Sequence, residues 1–434
     1  MTVSATPEAI FHAACKRWPG AAIELTLERK ESTTTRFADS LIHQNMYSET
    51  TVAILRLHHK SRTITAVKEI NSPGQAADFL EECDFTLNAS PEDHHWPGIQ
   101  EQEERVSSPV GGLNVDVPDD FARAKAVQKI TSLAADLGHA SGYLRTVAKD
   151  AVFLNSAGYR RSGNSTSVVI DAIVTVDGNE AAIKNASSTL AGLALESLTR
   201  VALKRARALR NPVTIAPGSY EVVLAPCAVV DILDYLNRCG FNAKTHLEGR
   251  SCLRLNEQQF DKKLTVVDDP SKNVTFDRDG TSKEEIFLVR DGVPVSLVHD
   301  RRTATAMGLS STGHAGAGSD QWGPLASDLR VKPGESDVVA ETKLGVFIGQ
   351  FWYTRPLDPK RLLMTGTTRN GVWLIEDGRL TRAVKNMRFT ESYLDALAPG
   401  RLLGVGEKTE TIPAEWDDHT SDAPSLRLAS WRLN

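Results

Sequence analysis

The chain has 434 residues, 41% of them hydrophobic and 24% charged, which is typical of soluble globular proteins. Its 50 Lys and Arg and 55 Asp and Glu leave a formal net charge of −5, so composition gives no electrostatic reason to expect a nucleic-acid or anionic-membrane partner. No apolar run approaches the roughly 18 residues of a membrane span, and the first 20 residues lack a secretory apolar segment. We therefore expect a cytoplasmic protein of two or three domains.

The cysteines agree with a reducing compartment. They are odd in number, widely spaced and without a CxxC pair, which favours free thiols over a disulfide framework or a zinc ribbon. The five are Cys15, Cys83, Cys227, Cys239 and Cys252.

The first helix and strands are predicted from capping residues and local composition. Thr6 can cap a helix that has Pro7 at its first position. Residues 21–30 and 51–60 have the composition of strands. Residues 88–119 are polar and contain proline, which indicates a surface excursion.

The next stretch alternates helix and strand. Apolar residues at helical spacing predict an amphipathic helix from residue 121 to Gly138. A strand over 166–178 follows, and then a helix over 186–210. Four basic residues lie in the last two turns of that helix, where they suit the negative end of the helix dipole.

The character of the chain changes after Arg210. The second half is rich in strands, and Asp-Gly pairs at 291–292 and 377–378 predict tight hairpin turns. We place a domain boundary near residue 210, which gives domains of 1–210 and 211–434.

Several segments together identify a family. They are "NSAGYRR" (155–161), "PGSYEVVLAP" (217–226), "LTVVDDP" (264–270), "LSSTGHAGAG" (309–318), "FWYTRPLDPKRLLMTGTTRNGVWLIEDGRLTRAVKNMRF" (351–389) and "APSLRLASWRLN" (423–434). In this order they resemble the TldD/TldE (PmbA) family of metallopeptidases, from about residue 36 to the end. The block that begins at Phe351 is the most specific of them.

The resemblance implies an α+β protein of two domains, with an N-terminal α/β domain and a C-terminal domain built on a large mixed β-sheet. It also implies a heterodimer that hydrolyses unfolded or leader peptides. One subunit of such a pair binds zinc through an HExxxH helix and a distant cysteine. The other subunit shares the fold but lacks the zinc site.

The helix that corresponds to HExxxH is expected at about 227–238. Zinc sites of this kind need two imidazoles on one helical face and a third ligand, but no histidine lies between residues 140 and 245. Val229, Ile232, Leu233 and Leu236 form an apolar face, with Asp231, Asp234 and Arg238 on the opposite, solvated or interface face. No cysteine follows Cys252. We therefore predict no metal and no catalytic residue in this chain, which resembles the zinc-free TldE/PmbA-type subunit.

Two segments are candidates for substrate binding. The glycine-rich stretch 308–323 lacks the Lys-Ser/Thr of a phosphate loop. It is either a surface turn or a loop beside the cleft that places Ser311, Thr312, Gly313 and His314 near a peptide backbone. His314 could act as a general base, but the sequence assigns it no carboxylate partner. Arg355 either faces a substrate or partner or is buried against a carboxylate.

Three functions remain open at this point. The first is the non-catalytic subunit of a heterodimeric metallopeptidase, with an HExxxH-bearing homologue as partner and zinc in that partner. The second is a stand-alone hydrolase or amidase that acts on a peptide-like metabolite. The third is a chaperone-like interaction protein.

Overall fold

The computed structural model describes residues 6–101, 119–316, 318–414 and 419–434. Within these ranges the chain forms two β-sheets with helices packed on them, so the predicted α+β class with a large mixed C-terminal sheet is confirmed. Most of the predicted surface excursion at 88–119 lies outside the described residues. The domain boundary near residue 210 stays a prediction.

The first sheet contains six strands within the described residues, in the order β3-β2-β1-β4-β5-β6, and each neighbouring pair is antiparallel. The strands are β1 (Ala22–Ala38), β2 (Leu41–His59), β3 (Arg62–Glu69), β4 (His139–Asn155), β5 (Arg160–Val176) and β6 (Asn179–Ser187). The two strands predicted at 21–30 and 51–60 are therefore parts of one long hairpin.

Four helices in the described part of the chain accompany this sheet: α1 (Pro7–Arg17), α2 (Pro73–Ala89), α3 (Asp120–Ala134) and α4 (Leu195–Ala208). The Thr6 hydroxyl accepts a hydrogen bond from the Ala9 amide, which confirms the predicted cap of α1. Of the predicted apolar face of α3, Val127 and Ile130 are buried, whereas Phe121 is 76% exposed. None of the helices in the described ranges combines the length and the apolar character needed to cross a membrane.

The helix predicted over 186–210 begins later than expected. Residues 186–187 still belong to β6, and turns follow up to Ala194. The Ser187 hydroxyl accepts from the Thr189 amide, and the Thr189 hydroxyl accepts from the Gly192 amide. Such local hydrogen bonds compete with helix formation, which is the physical reason for the late start of α4.

The second sheet contains eleven strands among the described residues and is mixed, since β7 pairs parallel with β12 and antiparallel with β17. The strands are β7 (Gly218–Leu224), β8 (Val266–Asp268), β9 (Ile286–Arg290), β10 (Val293–Pro294), β11 (Leu329–Val331), β12 (Leu344–Asp358), β13 (Leu363–Glu376), β14 (Arg379–Ala383), β15 (Arg388–Ser392), β16 (Leu402–Pro413) and β17 (Thr420–Leu433).

Both predicted Asp-Gly hairpins are present. Asp291 and Gly292 have φ angles of 48° and 80°, and Asp377 and Gly378 have 49° and 73°. Two consecutive residues with positive φ are what a type I′ turn requires, and this turn matches the twist of the strands it connects.

The helices of the second half are α5 (Pro226–Leu236), α6 (Ala243–Leu247), α7 (Arg301–Met307), α8 (Ser319–Trp322) and α9 (Tyr393–Ala396). The helix α5 lies on the second sheet, and a π-helical turn, Asn237–Phe241, follows it directly. Its predicted apolar face is confirmed, because Val229, Ile232, Leu233 and Leu236 are all buried in the main hydrophobic core.

Buried ion pairs join the two halves of the chain. Arg301 pairs with Glu24 of β1, and Arg56 of β2 pairs with Asp279. The side chains of Glu24 and Asp279 are 2% and 1% exposed, so these carboxylates depend on their arginines for compensation. This arrangement fixes how the first sheet faces the second.

Candidate functional site

A cleft of about 660 Å³ lies between the first sheet and loops of the second half. Strands β1 and β4 form one wall, and the opposite wall includes residues 273–274 and 276–278, Lys283, Ala315, Gly316 and Ser327. The volume is within the usual range of about 300–1,000 Å³ for ligand sites. This cleft is the candidate functional site.

The helix α5 and the turn after it reach the edge of the cleft. Asp234, Asn237 and Arg238 line a small adjoining pocket, whose other residues include Ser327 and His419 of the cleft. The helix that the family resemblance associates with zinc is therefore next to the candidate site.

The helical wheel placed Asp231 of α5 on a solvated or interface face, but the structure engages its carboxylate inside the fold. It is half-buried and accepts two hydrogen bonds, one at 2.6 Å from the Tyr393 hydroxyl and one at 2.7 Å from the Thr354 hydroxyl. Both partners come from the second sheet and its helix α9, which a helical wheel cannot include. The carboxylate of Asp231 thus connects α5 to the strands beneath it.

The thiols on α5 and the turn are poor metal ligands. Burial raises the pKa of the Cys227 thiol to about 12 and also raises the pKa of Cys239, so the thiolate that metals bind is disfavoured. Among the described residues, no three His, Cys, Asp or Glu side chains are grouped to hold a metal ion. With Asp231 already engaged, the side chains of this helix do not fit a zinc site.

The segment 311–314 is held in place from behind the cleft. His314 is fully buried, with Nε2 2.8 Å from Asp268 Oδ2 and Nδ1 2.8 Å from Thr312 Oγ1. The structure thus supplies the carboxylate that the sequence could not assign. Because the ring has no exposed surface, the side chain of His314 does not face the cleft.

Gly313 shows why this segment needs glycine. Its φ is +75°, and a Cβ atom there would lie 2.4 Å from the Ser282 carbonyl oxygen. Ser311 donates to the carbonyl oxygen of His299, and its own hydroxyl accepts from the Gly313 amide. The four residues therefore form one tightly bonded turn, and the two residues that follow it, Ala315 and Gly316, line the cleft.

A buried polar network continues from Asp268 to the cleft. Burial acts to raise the pKa of Asp268, but the hydrogen bond with His314 and the amide of Asp328 hold that pKa below its usual value. Burial and the nearby charge of Asp268 raise the pKa of Asp328 to about 6. The Ser327 hydroxyl donates to Asp328 at 2.8 Å and accepts from Lys283 Nζ at 3.2 Å.

Arg355 lies elsewhere, on β12. Its side chain is exposed and lies beside the exposed ring of Tyr353, with the guanidinium carbon 6.0 Å from the ring centroid. It is therefore not buried against a carboxylate, which was one of the two expectations. It is also absent from the residues that line the cleft.

Two lysines in the cleft were missed by the sequence reading. Lys30 of β1 lies directly opposite Lys149 of β4, and both are half-buried and line the cleft. They are 119 positions apart, so only the strand register shows that they are neighbours. Alternation along the two strands carried the only signal, since it places each lysine on the face away from the helices.

The comparisons with known proteins agree with this architecture. The family described as "PmbA/TldA metallopeptidase C-terminal domain" matches residues 217–434. The crystal structure of TldE from Thermococcus kodakarensis is similar over 98% of this chain and 99% of that chain, with a TM-score of 0.85 and 16% sequence identity. That likeness shows the fold.

Two curated relatives are similar in sequence. A metalloprotease of Methanothermobacter thermautotrophicus is 27% identical over 170 residues, which is 37% of this chain and 37% of the relative. A metalloprotease TldD homologue of Haemophilus influenzae is 24% identical over 167 residues, which is 36% of this chain and 34% of the relative. The matches thus span little more than a third of either relative. The family match covers half of the chain, and we conclude that the chain belongs to the TldD/TldE (PmbA) family of metallopeptidases.

Proposed function

We propose that this chain is the metal-free subunit of a heterodimeric metallopeptidase that acts on unfolded or leader peptides. Zinc and the catalytic glutamate belong to an HExxxH-bearing homologue, and this chain completes the substrate cleft. The observation that carries the proposal is the use of α5, whose Asp231 is committed to Tyr393 and Thr354 while burial keeps the Cys227 thiol protonated. The family helix is retained here as a packing element.

The contribution of this chain to the pair is the shape of the cleft. The turn at 311–314 holds Ala315 and Gly316 against the space that a peptide backbone occupies, with His314 and Asp268 as its internal support. Small residues at that wall allow an extended chain to approach closely. Arg355 and Tyr353 are exposed on β12 and are proposed to contact the partner subunit or the substrate.

The proposed setting is the cytoplasm. All five cysteines are free, and none of them is paired in a disulfide. Free thiols are typical of proteins kept in a reducing compartment.

The test is co-expression with an HExxxH-bearing homologue. We expect the two chains to co-purify, and we expect an unfolded peptide to be cleaved only by the mixture. Replacement of the partner's HExxxH glutamate with glutamine should abolish cleavage, and replacement of Cys227 with alanine in this chain should leave it largely intact. Peptide cleavage by the isolated chain, or no association between the two, would contradict the proposal.

A stand-alone hydrolase is the second candidate because of one observation. Ser327 lies at the cleft with its hydroxyl donating to Asp328, a carboxyl whose pKa is raised to about 6 and which could accept that proton near neutral pH. Ser327 is only 5% exposed, which limits its access to a substrate. Loss of hydrolysis by the isolated chain in a Ser327→Ala variant that still folds would favour this candidate over the first.

A further inference from the structure

The first half of β2 has one open side. β2 pairs with β1 along nearly its whole length, but β3 begins to pair with the other side of β2 only at Val52. Among the described strands, none therefore covers the side of residues 41–51 that faces away from β1. Residues 41–49 are all exposed. We call residues 41–51 the β2 edge.

The backbone of the β2 edge presents hydrogen-bonding groups on its open side. The Thr51 carbonyl oxygen accepts a hydrogen bond from the Ile70 amide, so the backbone groups of Thr51 point away from β1. This direction alternates along an antiparallel strand, so the amides and carbonyls of Glu49, Tyr47 and Asn45 point to the same side. A row of such groups is a template for pairing with another strand.

The features that normally prevent pairing between sheet edges are scarce in this segment. Exposed edge strands are usually short, or they carry lysine or proline. The sequence of the β2 edge, LIHQNMYSETT, has eleven residues and contains no Lys, Arg or Pro. Its one irregularity is a bulge opposite Arg36 and Phe37. Four large apolar side chains are exposed on it: Leu41, Ile42, Met46 and Tyr47.

The turn at the start of the β2 edge is held in place by β4. The Ser40 amide donates to the Ala140 carbonyl oxygen, and the Ala140 amide donates to the Ser40 hydroxyl. The Asp39 amide donates to the Ser141 hydroxyl. Because the turn is fixed, less conformational freedom is lost when the β2 edge pairs with another strand.

An apolar groove of about 570 Å³ adjoins the start of the β2 edge. Residues of α3 form one side of the groove, and Leu41 and Ile42 lie on the other. Phe121, at the start of α3, also lines it and is 76% exposed. The eleven residues of the β2 edge and the eight further residues of the groove approach the roughly 20 residues per side of a standard protein interface.

We propose that the β2 edge pairs antiparallel with the β2 edge of a second copy of this chain. Antiparallel pairing brings Met46 and Tyr47 of each copy toward the groove at the start of the other copy's β2 edge. A two-fold axis uses both open edges in one contact, so the assembly closes as a dimer and does not grow into a fibre.

Charge favours a second copy as the occupant. Glu49 is the only Asp, Glu, Lys or Arg in the β2 edge, and it already accepts hydrogen bonds from Arg29 Nε at 2.8 Å and from the Tyr47 hydroxyl at 2.9 Å. Two copies can therefore meet without bringing uncompensated like charges together. The inference goes beyond the proposed function, since none of residues 41–51 lines the cleft.

The test is the mass of the isolated full chain, measured by sedimentation equilibrium. We expect twice the mass of one chain at micromolar concentration. Amide hydrogen exchange at low and high protein concentration gives a second measurement. Exchange at Asn45 and Tyr47 should slow as the dimer forms, because these amides then donate to the second copy.

Two variants of the β2 edge should weaken the dimer. Asn45→Pro removes an amide on the open side and leaves the pairing with β1 intact, since Asn45 does not direct its amide toward β1. It should raise the dissociation constant of the dimer at least about tenfold. Met46→Lys combined with Tyr47→Lys should act in the same direction, because lysines on an edge strand oppose pairing. This second variant carries the test if Asn45→Pro fails to fold.

The matched control is Phe85→Lys combined with Leu247→Lys. It also exchanges two exposed apolar side chains for lysines, but both positions lie outside the β2 edge and the groove. The control should dimerise as the parent does, and a thermal melt of each variant should show that it is folded.

Several outcomes would overturn the proposal. They are a monomer at every concentration, growth beyond a dimer, a dimer that both edge variants leave intact, and equal losses in the two lysine variants. A monomeric chain whose complex with the HExxxH-bearing homologue is weakened by the edge variants would overturn it too, because the β2 edge would then bind the homologue. Dimerisation through the β2 edge without any complex with the homologue would support this inference and contradict the proposed heterodimer.

Discussion

The two walls of the cleft differ in how their polar and charged side chains are arranged. On the C-terminal wall and the adjoining helix α5, polar groups are paired inside the fold: Asp231 with Tyr393 and Thr354, and His314 with Asp268. On the N-terminal wall, Lys30 of β1 and Lys149 of β4 are cross-strand neighbours. One wall is held by pairings between distant side chains, and the other places two basic residues opposite each other across neighbouring strands.

The difference indicates where to look for the function of this chain. The family resemblance associates α5 with zinc, but here Asp231 of that helix accepts hydrogen bonds from Tyr393 and Thr354. On the first-sheet side, the cleft is lined by basic side chains that include Lys30 and Lys149. Substitutions on the C-terminal side should therefore reduce stability, whereas replacement of one lysine of the Lys30–Lys149 pair should leave stability equal or higher.

The largest effect is expected from Leu233→Asp. Leu233 is 2% exposed in the main core, and an unpaired buried carboxylate costs several kcal/mol, on the order of 4 kcal/mol or more. Chemical denaturation should show a large loss of stability or a failure to fold. The neighbouring substitution Asp234→Ala, on the polar side of α5, should cost less than about 1 kcal/mol. Equal losses for the two would contradict the assigned faces of the helix.

The next effect is a pH dependence from His299, which lies beneath the 311–314 turn. Burial lowers the pKa of His299 to about 4, below its usual value near 6.5. As pH falls from about 6.5 to 4, His299 becomes protonated in the unfolded chain but stays neutral in the folded chain. The free energy of unfolding therefore decreases over that pH range. The shift corresponds to at most about 3 kcal/mol.

The measurement must compare variants, because Asp328 acts in the opposite direction. Its pKa is raised to about 6, so its contribution to stability increases as pH falls through that value. The free energy of unfolding of the parent minus that of His299→Asn should therefore decrease between pH 6.5 and 4. A difference that stays constant across this range would show that His299 is not buried as a neutral ring.

Asp231→Ala should cost about 2 kcal/mol, because the buried hydroxyl of Tyr393 would lose its acceptor. Asp231→Asn keeps an acceptor oxygen and should cost less. Cleavage by the proposed pair should remain mostly intact in either variant at a temperature where both are folded. Loss of cleavage by a variant that still folds would show that Asp231 takes part in the reaction and does not only stabilise the fold.

The smallest effect is expected from Lys30→Gln, which should increase the stability of the chain, whereas the substitutions above decrease it. Removal of one of two facing like charges should stabilise the isolated chain by a few tenths of a kcal/mol, up to about 1 kcal/mol. A thermal melt at low salt should show the gain, and added salt should reduce it. A lower melting temperature in Lys30→Gln would mean that the N-terminal wall, like the C-terminal wall, is arranged for stability.

Local patterns predicted local structure well. The cap at Thr6, the Asp-Gly turns and the apolar face of α5 all depend on residues within one or two turns of each other. The α4 helix was predicted nine residues too early because apolar spacing does not register the Ser187 and Thr189 hydroxyls that hold a turn instead.

The site was harder to predict because its contacts are long-range. His314 and Asp268 are 46 positions apart, and Asp231 and Tyr393 are 162 apart. A helical wheel assigned Asp231 to a solvated or interface face because it shows one helix without the strands and helices packed around it. The pairing of Lys30 with Lys149 required the register of β1 and β4, which is fixed by the complete sheet.

The most direct test of the proposed role is the zinc content of the purified chain. After dialysis against a weak chelator, elemental analysis should find far less than one zinc per chain, because Asp231 is engaged and the thiols of Cys227 and Cys239 are kept protonated. The co-purified pair should retain about one zinc per heterodimer, all of it lost when the HExxxH histidines of the partner are replaced. About one zinc per isolated chain after the same dialysis would contradict the metal-free assignment.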